Sequence, residues 1–272
     1  INIDVSSIKN KKKILFIMPN FRWIDEDVNA LWDLVPWNLC QIAAVIEDIS
    51  SEVKIIDSYK DNLSEDELAK QITDYKPDIV GITVLMDQYA GVAPITTKLV
   101  KNISKNIVTV LGGVYAMANP TRAMKDKNLD YVVIGEGEYV FKQLIGFYSG
   151  VCDLPERGIC FRKDGTGELE NRGHSEFIKN LDDLPRPAYH LIDFLAYYNK
   201  YNDYISFLDS CILDQNNQFL KKQNKKIENL FLFHLPLENQ SCECDDVDDE
   251  TDEVLEPNRC LYHLLQSLHT HQ

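Results

Sequence analysis

No stretch of this 272-residue sequence approaches the roughly 20 consecutive apolar residues that a membrane-spanning helix needs. The first residues also lack the basic-then-apolar pattern of a secretory leader, because Lys11, Lys12 and Lys13 lead into a short strand-like run. A cytoplasmic location is therefore the default expectation. Positive charge is scarce: 28 Lys and Arg stand against 43 Asp and Glu, a net charge of −15. That balance argues against a nucleic-acid surface, which needs basic patches to meet phosphates. Much of the excess lies in residues 238–256, which hold ten Asp or Glu and no Lys or Arg. The seven cysteines are scattered and odd in number, so no disulfide framework is implied. Three familiar chemistries are missing as well. There is no Gly-x-Gly-x-x-Gly after the first strand-like run, no P-loop, and no Gly-x-Ser-x-Gly elbow.

What is present centres on residues 78–138. Three short apolar runs there each end in a small or polar turn: 78–85 before 86–91, 106–113 before 114–120, and 131–134 before 135–138. Runs this apolar suit strands covered on both faces, as in parallel sheets wound with helices. Adjacent parallel strands would bring the three turns to one edge, where such sheets bind ligands.

Around this centre the pattern alternates. Residues 11–18 read as a first strand, stopped by Pro19 and Asn20, before a loop with Trp23, Trp32 and Trp37. A helix is expected over 37–48 from the spacing of Leu39, Ile42, Ala43 and Ile46. Residues 51–57 alternate like a strand, and Ser64 with Glu67 forms a capping box that opens a helix over 65–75. Further helices are expected near 92–104, 121–127 and 139–148. The order implies an α/β fold, a five-stranded doubly wound parallel sheet over 11–150. Residues 158–162 and 169–172 flank Lys163-Asp-Gly-Thr-Gly167, a hairpin signal. The prolines of 181–187 mark an extended linker, followed by a short helix over 189–198. From 203 onward the apolar pattern degrades, and 203–272 has the composition of a disordered tail.

Gly112 with Gly113 and Gly135 with Gly137 would let a ligand approach the backbone; tight strand-to-helix turns are the commoner reason for any single pair. It is three such turns at consecutive strand ends that point toward binding in general. A phospho-receiver domain is excluded by Met18-Pro-Asn20, where its acids would stand, and by Gly135-Glu136 in place of its lysine. His174 and His190 have no Cys or His at ligand spacing and read as surface or linker residues. Glu136 and Glu138 are a conceivable acid/base pair, but alternate residues on a turn diverge, so no catalytic residue is assigned.

Taken as an ordered set, several motifs resemble one family. They are Pro19, Pro36-Trp-Asn-Leu39, Ala43-Ala44, Val53-Lys-Ile-Ile-Asp57, Pro77-Asp-Ile-Val-Gly-Ile-Thr83, Leu111-Gly-Gly113 and Val133-Ile-Gly-Glu-Gly-Glu138. With Gly158-Ile-Cys-Phe-Arg162, Asp164-Gly165 and Leu181-Asp-Asp-Leu-Pro-Arg-Pro-Ala188, they resemble the N-terminal cobalamin (B12)-binding domain of B12-dependent radical SAM enzymes over roughly residues 11 to 200. The resemblance implies a Rossmann-like, flavodoxin-like B12-binding fold with a corrinoid across the carboxyl ends of the strands. Thr83, Val84, Leu85 and Met86 would line one side of the tail or ring. Gly112, Gly113, Tyr115 and Ala116 would meet the nucleotide, and Gly135, Glu136, Gly137 and Glu138 would complete the cradle with backbone N–H groups. Trp37 or Tyr89 is a candidate cover for an apolar corrin face, with core packing the alternative for each.

Two departures shape what is expected of function. None of the six histidines has an Asp two places before it, so the Asp-x-His-x-x-Gly motif that supplies a lower cobalt ligand elsewhere is absent. The radical SAM signature Cys-x-x-x-Cys-x-x-Cys, which holds a [4Fe–4S] cluster that binds S-adenosylmethionine, is absent too. Cys211 stands alone, and Cys242, Cys244 and Cys260 have the wrong spacing. The reading that follows is a corrinoid-binding module that stops before its catalytic barrel, with no metal ligand of its own. The cluster and S-adenosylmethionine are then expected only in a full-length relative. Two alternatives stay open: an enzyme acting with a radical SAM partner in trans or through its tail cysteines, and a regulatory domain with another small ligand. No nucleic-acid or membrane partner is expected.

Overall fold

The structure is a computed structural model, and it describes residues 3–24, 35–163, 165–194, 196 and 197. Its centre is a seven-stranded sheet in the order β2-β1-β3-β4-β5-β6-β7. The strands are β1 (Lys12–Met18), β2 (Ser50–Asp57), β3 (Ile79–Thr83), β4 (Val108–Gly112), β5 (Tyr131–Val133), β6 (Ile159–Arg162) and β7 (Leu169–Asn171). The first five are parallel, and β6 and β7 are antiparallel. Every residue of β3 is buried, as its unbroken Ile-Val-Gly-Ile-Thr run requires of a strand covered on both faces. The glycine in that run makes room for a neighbour, since a Cβ on Gly81 would stand 2.6 Å from Phe16 Cδ1.

The helices are α1 (Trp37–Ile46), α2 (Glu65–Tyr75), α3 (Val92–Ile103), α4 (Val114–Ala118), α5 (Pro120–Ala123) and α6 (Gly137–Tyr148). α1 packs beside α6, and α2 packs beside α3. Right-handed crossovers put these two pairs on opposite faces, because the chain moves from β1 out to β2 and then back past β1 to β3. The direction of winding reverses between β1 and β3, the switch point at which open α/β sheets form their crevice. The capping box is present: Ser64 Oγ accepts from Glu67 N, and Glu67 Oε2 accepts from Ser64 N. Lys76 leaves α2 in a left-handed conformation, φ 55°, one residue before Pro77.

Three expectations change. The hairpin does not stand apart from the five-stranded sheet, because β6 pairs antiparallel with β5 through Tyr131–Phe161, Val132–Cys160 and Val133–Ile159. It covers an edge that would otherwise expose unpaired strand backbone. The single helix near 121–127 is instead the short pair α4 and α5, set earlier and split at Asn119 with Pro120 opening the second. The helix expected over 189–198 starts as a 3-10 turn, Tyr189–Leu191. Trp32, Cys211, Cys242, Cys244, Cys260 and the tail 203–272 lie outside the described residues.

Candidate functional site

The carboxyl ends of the parallel strands form an edge with two unlike halves. Behind β1 and β2 the chain fills its own crevice. Asn20 Nδ2 donates to Asn62 Oδ1 and the Leu63 carbonyl, Trp23 Nε1 donates to the same carbonyl, and Arg22 Nη1 donates to the Tyr59 carbonyl while lying over the Tyr59 ring. Phe21 sits between two tyrosines, its ring 5.3 Å from Tyr59 and stacked 4.7 Å from Tyr89. Tyr89, a candidate corrin cover, is thus a core residue, 7% exposed. Beyond it, Tyr197 Oη donates to Asp57 Oδ2 and closes the end of β2.

Behind β3 and β4 the edge is open. Thr83 and Val84 are buried, and Leu85 and Met86 are half-buried where the chain leaves β3. Gly113 ties the two strand ends together. Its φ of +91° suits glycine, and a Cβ there would stand 2.5 Å from the Val84 carbonyl oxygen and 3.0 Å from Thr83 Oγ1. The same Val84 oxygen accepts from Tyr115 N, and the Gly112 carbonyl accepts from Val84 N. Gly112 differs from its neighbour, since a Cβ on it would meet nothing within 4 Å. Asn38, in the first turn of α1, donates from Nδ2 to Thr83 Oγ1 at 3.1 Å. The turns after β1, β3 and β4 therefore meet at one point.

Exposed apolar side chains stand beside these contacts in the chain: Trp37, next to Asn38, is 58% exposed, Val114, next to Gly113, 54%, and Met117 37%. Tyr115 and Ala116, expected at the ligand, are buried beneath this surface. Val114 and Met117 stand at i and i+3 on α4 and form its outward face, while Tyr115 and Ala116 form its inward one. The sequence reading missed Val114, Met117 and Asn38. The i, i+3 apolar pair directly after the Gly-Gly turn was the signal for the first two. Asn38 stands in the Pro36-Trp-Asn-Leu39 motif, but its role at the site had no local signal, because its partner is 45 residues away. A polar rim borders the shelf, where Arg122 Nη1 donates to Asp87 Oδ1 at 3.2 Å. Burial raises the Tyr115 phenol, with the Arg122 charge opposing and Asp87 adding to the rise.

At the end of β5 the cradle is partly filled by the chain itself. Gly135, φ +94°, faces Ser175, whose Oγ would stand 2.5 Å from a Cβ at 135. The N–H of Glu136 donates to that Oγ at 2.8 Å, so this group of the α6 start is already paired. The Glu136 carboxylate accepts from Ile178 N. Gly137 leaves room for Ile42 of α1, whose Cδ1 would stand 3.2 Å from a Cβ there. Glu136 and Glu138 do diverge in environment. Burial raises the Glu138 carboxyl, with the Glu136 charge adding to it. Among the described residues no group of three or more His, Cys, Asp and Glu is placed to hold a metal ion. His190 pairs instead with Glu47 at 2.7 Å. Cys40 is sealed in α1, where burial pushes its thiol up to about 12.

The B12 binding domain family model matches residues 28–145. That stretch is a B12-binding domain. It contains the turns after β3, β4 and β5, so the whole open half of the edge belongs to it. An uncharacterized methyltransferase of Pyrococcus horikoshii is 32% identical over 163 residues, 58% of this chain and 34% of that protein. The cytidylyl-2-hydroxyethylphosphonate methyltransferase of Streptomyces wedmorensis is 27% identical over 225 residues, 69% of this chain and 42% of that protein. The chain thus spans well under half the length of these curated relatives. Among solved structures, the cobalamin-dependent S-adenosylmethionine radical enzyme OxsB with aqua-cobalamin bound shares the fold. Its TM-score is 0.55 at 18% identity, over 70% of this chain and 25% of that one. The sheet with its B12-binding domain is the α/β architecture expected from the alternation of strands and helices. No helix among the described residues is long and apolar enough to cross a membrane.

Proposed function

We propose that the B12-binding domain seats its corrinoid on the open half of the carboxyl edge and presents it to a radical SAM barrel that residues 3–197 do not include. The observation that carries this reading is the outward apolar shelf of Trp37, Val114 and Met117 beside the unobstructed backbone of Gly112. A flat, largely apolar macrocycle edged with amides fits such a surface. The shelf would take its faces, while Gly112 lets the ligand come close where a Cβ would stand in the way.

Each candidate residue then has a distinct part. Thr83, Val84 and Gly113 fix the floor by the Gly113–Val84 approach and the Asn38–Thr83 hydrogen bond. Leu85 and Met86 line the β3 side. Tyr115 and Ala116 support α4 from below, so Val114 and Met117 take the contact that sequence placed on them. At β5, Gly135, Glu136, Gly137 and Glu138 anchor the Ser175 segment and α1, and so form a wall. When bound, the corrinoid supplies a cobalt centre able to carry and release an alkyl group. The chain's own residues hold it, orient it and keep water from one face. The sequence has no Cys-x-x-x-Cys-x-x-Cys, so on this reading the cluster and S-adenosylmethionine belong to other residues of a longer protein or to a partner.

The test is direct. The purified chain is mixed with hydroxocobalamin, desalted and examined by visible absorption. Retention of the corrin bands in about equimolar amount is expected, and a colourless eluate would overturn the reading.

A further inference from the structure

The turns that face the open half are poor in positive charge. Residues 84–91, 112–124 and 134–138 contain one Lys or Arg between them, Arg122, and three acids, Asp87, Glu136 and Glu138. Arg122 is 58% exposed and Asp87 61% exposed at the side chain, and they are joined by bonds of 3.2 and 3.5 Å from Nη1. Asn119 Nδ2 reaches the same carboxylate oxygen at 3.5 Å. An ion pair this open to water is weak and readily exchanged. Arg122 lies on α5, five residues after Met117 and beyond the break at Asn119, and its charge reaches the Tyr115 phenol buried beneath α4.

We infer that Arg122 is the residue that selects corrinoids carrying a phosphodiester, by taking that phosphate at the rim of the shelf in place of Asp87; the inference rests on the corrinoid reading above. An anionic group arriving at this edge meets Asp87 and Glu136, and one guanidinium to offset them. A guanidinium matches phosphate oxygens with paired donors, a stronger arrangement than its exposed single-nitrogen contact with Asp87. The bound phosphate thus depends on one side chain. The apolar macrocycle, seated on Trp37, Val114 and Met117, does not.

The test compares cobalamin, which has the phosphodiester and its base, with cobinamide phosphate, which keeps a phosphate without the base, and with cobinamide, which has neither. Affinities of the wild type, Arg122→Gln and Asp87→Asn are read from visible titrations, with thermal unfolding to confirm that each variant folds. Arg122→Gln is expected to weaken cobalamin and cobinamide phosphate by about tenfold, the scale of one exposed charge-assisted contact, and to leave cobinamide unchanged. Asp87→Asn is expected to tighten the two phosphate-bearing ligands by a few-fold, and raised salt to weaken them. Equal effects of Arg122→Gln on all three ligands, or on none, would overturn the inference while leaving the corrinoid site standing. Failure of the wild type to bind any of the three would instead overturn the site itself, and the inference with it.

Discussion

Tyr197 Oη donates to Asp57 Oδ2 at 2.7 Å, joining residues 140 positions apart at the carboxyl end of β2. Both side chains are nearly buried, Lys60 N donates to the other carboxylate oxygen at 2.8 Å, and the Lys60 ammonium lies over the Tyr197 ring. This contact is the last of a series that fixes the segment after β7. Ser175 N donates to the Ile134 carbonyl, Gln41 Nε2 to the Pro185 carbonyl, and Ala188 N to the Cys40 carbonyl. The stretch that reads from its prolines as a linker is therefore tied to α1 at its end, through Pro185 and Ala188.

Tyr197→Phe removes one donor from a buried carboxylate and keeps the ring. It is expected to cost about 1–3 kcal/mol in denaturant unfolding. It should also speed proteolysis within 185–197 while leaving amide exchange in β3 and β4 unchanged. Unaltered proteolysis of that segment would show that the hydroxyl does not hold it.

The two neighbouring glycines at the end of β4 separate fold from ligand. Gly113→Ala puts a Cβ at positive φ and against the Val84 carbonyl, so a loss of at least about 2 kcal/mol is expected. Gly112→Ala meets no protein atom within 4 Å, and a strand alanine is favoured over glycine by about 0.5–1 kcal/mol. Its stability should hold or rise while cobalamin retention falls. A Gly112→Ala variant that binds cobalamin as tightly as wild type would place the ligand elsewhere.

How far the sequence could carry this reading depended on the range of the signal. The strands and the capped α2 follow from local periodicity and the Ser64–Glu67 box, and they stand within a few residues of expectation. The three turns at one edge follow from alternation alone. Partners far apart in sequence left no such trace. Ser175 against Gly135, Ile42 against Gly137 and Phe21 on Tyr89 gave those residues reasons to exist that a turn motif does not distinguish from ligand binding. The outward face of α4 was marked by a single i, i+3 apolar pair, because a five-residue helix is too short for a longer period to build up.

Glu138 provides a prediction in pH. Burial, helped by the Glu136 charge, raises its carboxyl above the ordinary glutamate value. The folded state therefore holds this proton more firmly than the unfolded chain. Its stabilising contribution is full below the unfolded value and is lost as pH rises through the folded one. Glu138→Gln is expected to be more stable than wild type at neutral pH and indistinguishable from it below about pH 4. An advantage that persists unchanged into acid would assign the effect to packing.

Trp37 offers the sharpest separation between binding and folding. Its side chain stands at the first residue of α1, 58% exposed, beside Asn38 whose carboxamide crosses to Thr83. An exposed position of this kind contributes little to the fold, so Trp37→Ala should change unfolding by no more than about 0.5 kcal/mol. If the indole covers an apolar macrocycle, the same substitution should weaken cobalamin by about tenfold, because a large aromatic face is buried only in the complex. Fluorescence gives an independent readout. Trp23 is held by the Leu63 carbonyl, and in a Trp32→Phe background the quenching by hydroxocobalamin should fall substantially on Trp37→Phe even where the corrinoid still binds. Quenching and affinity both unchanged in the Trp37 variants would remove this residue from the site and leave Val114 and Met117 as its apolar surface.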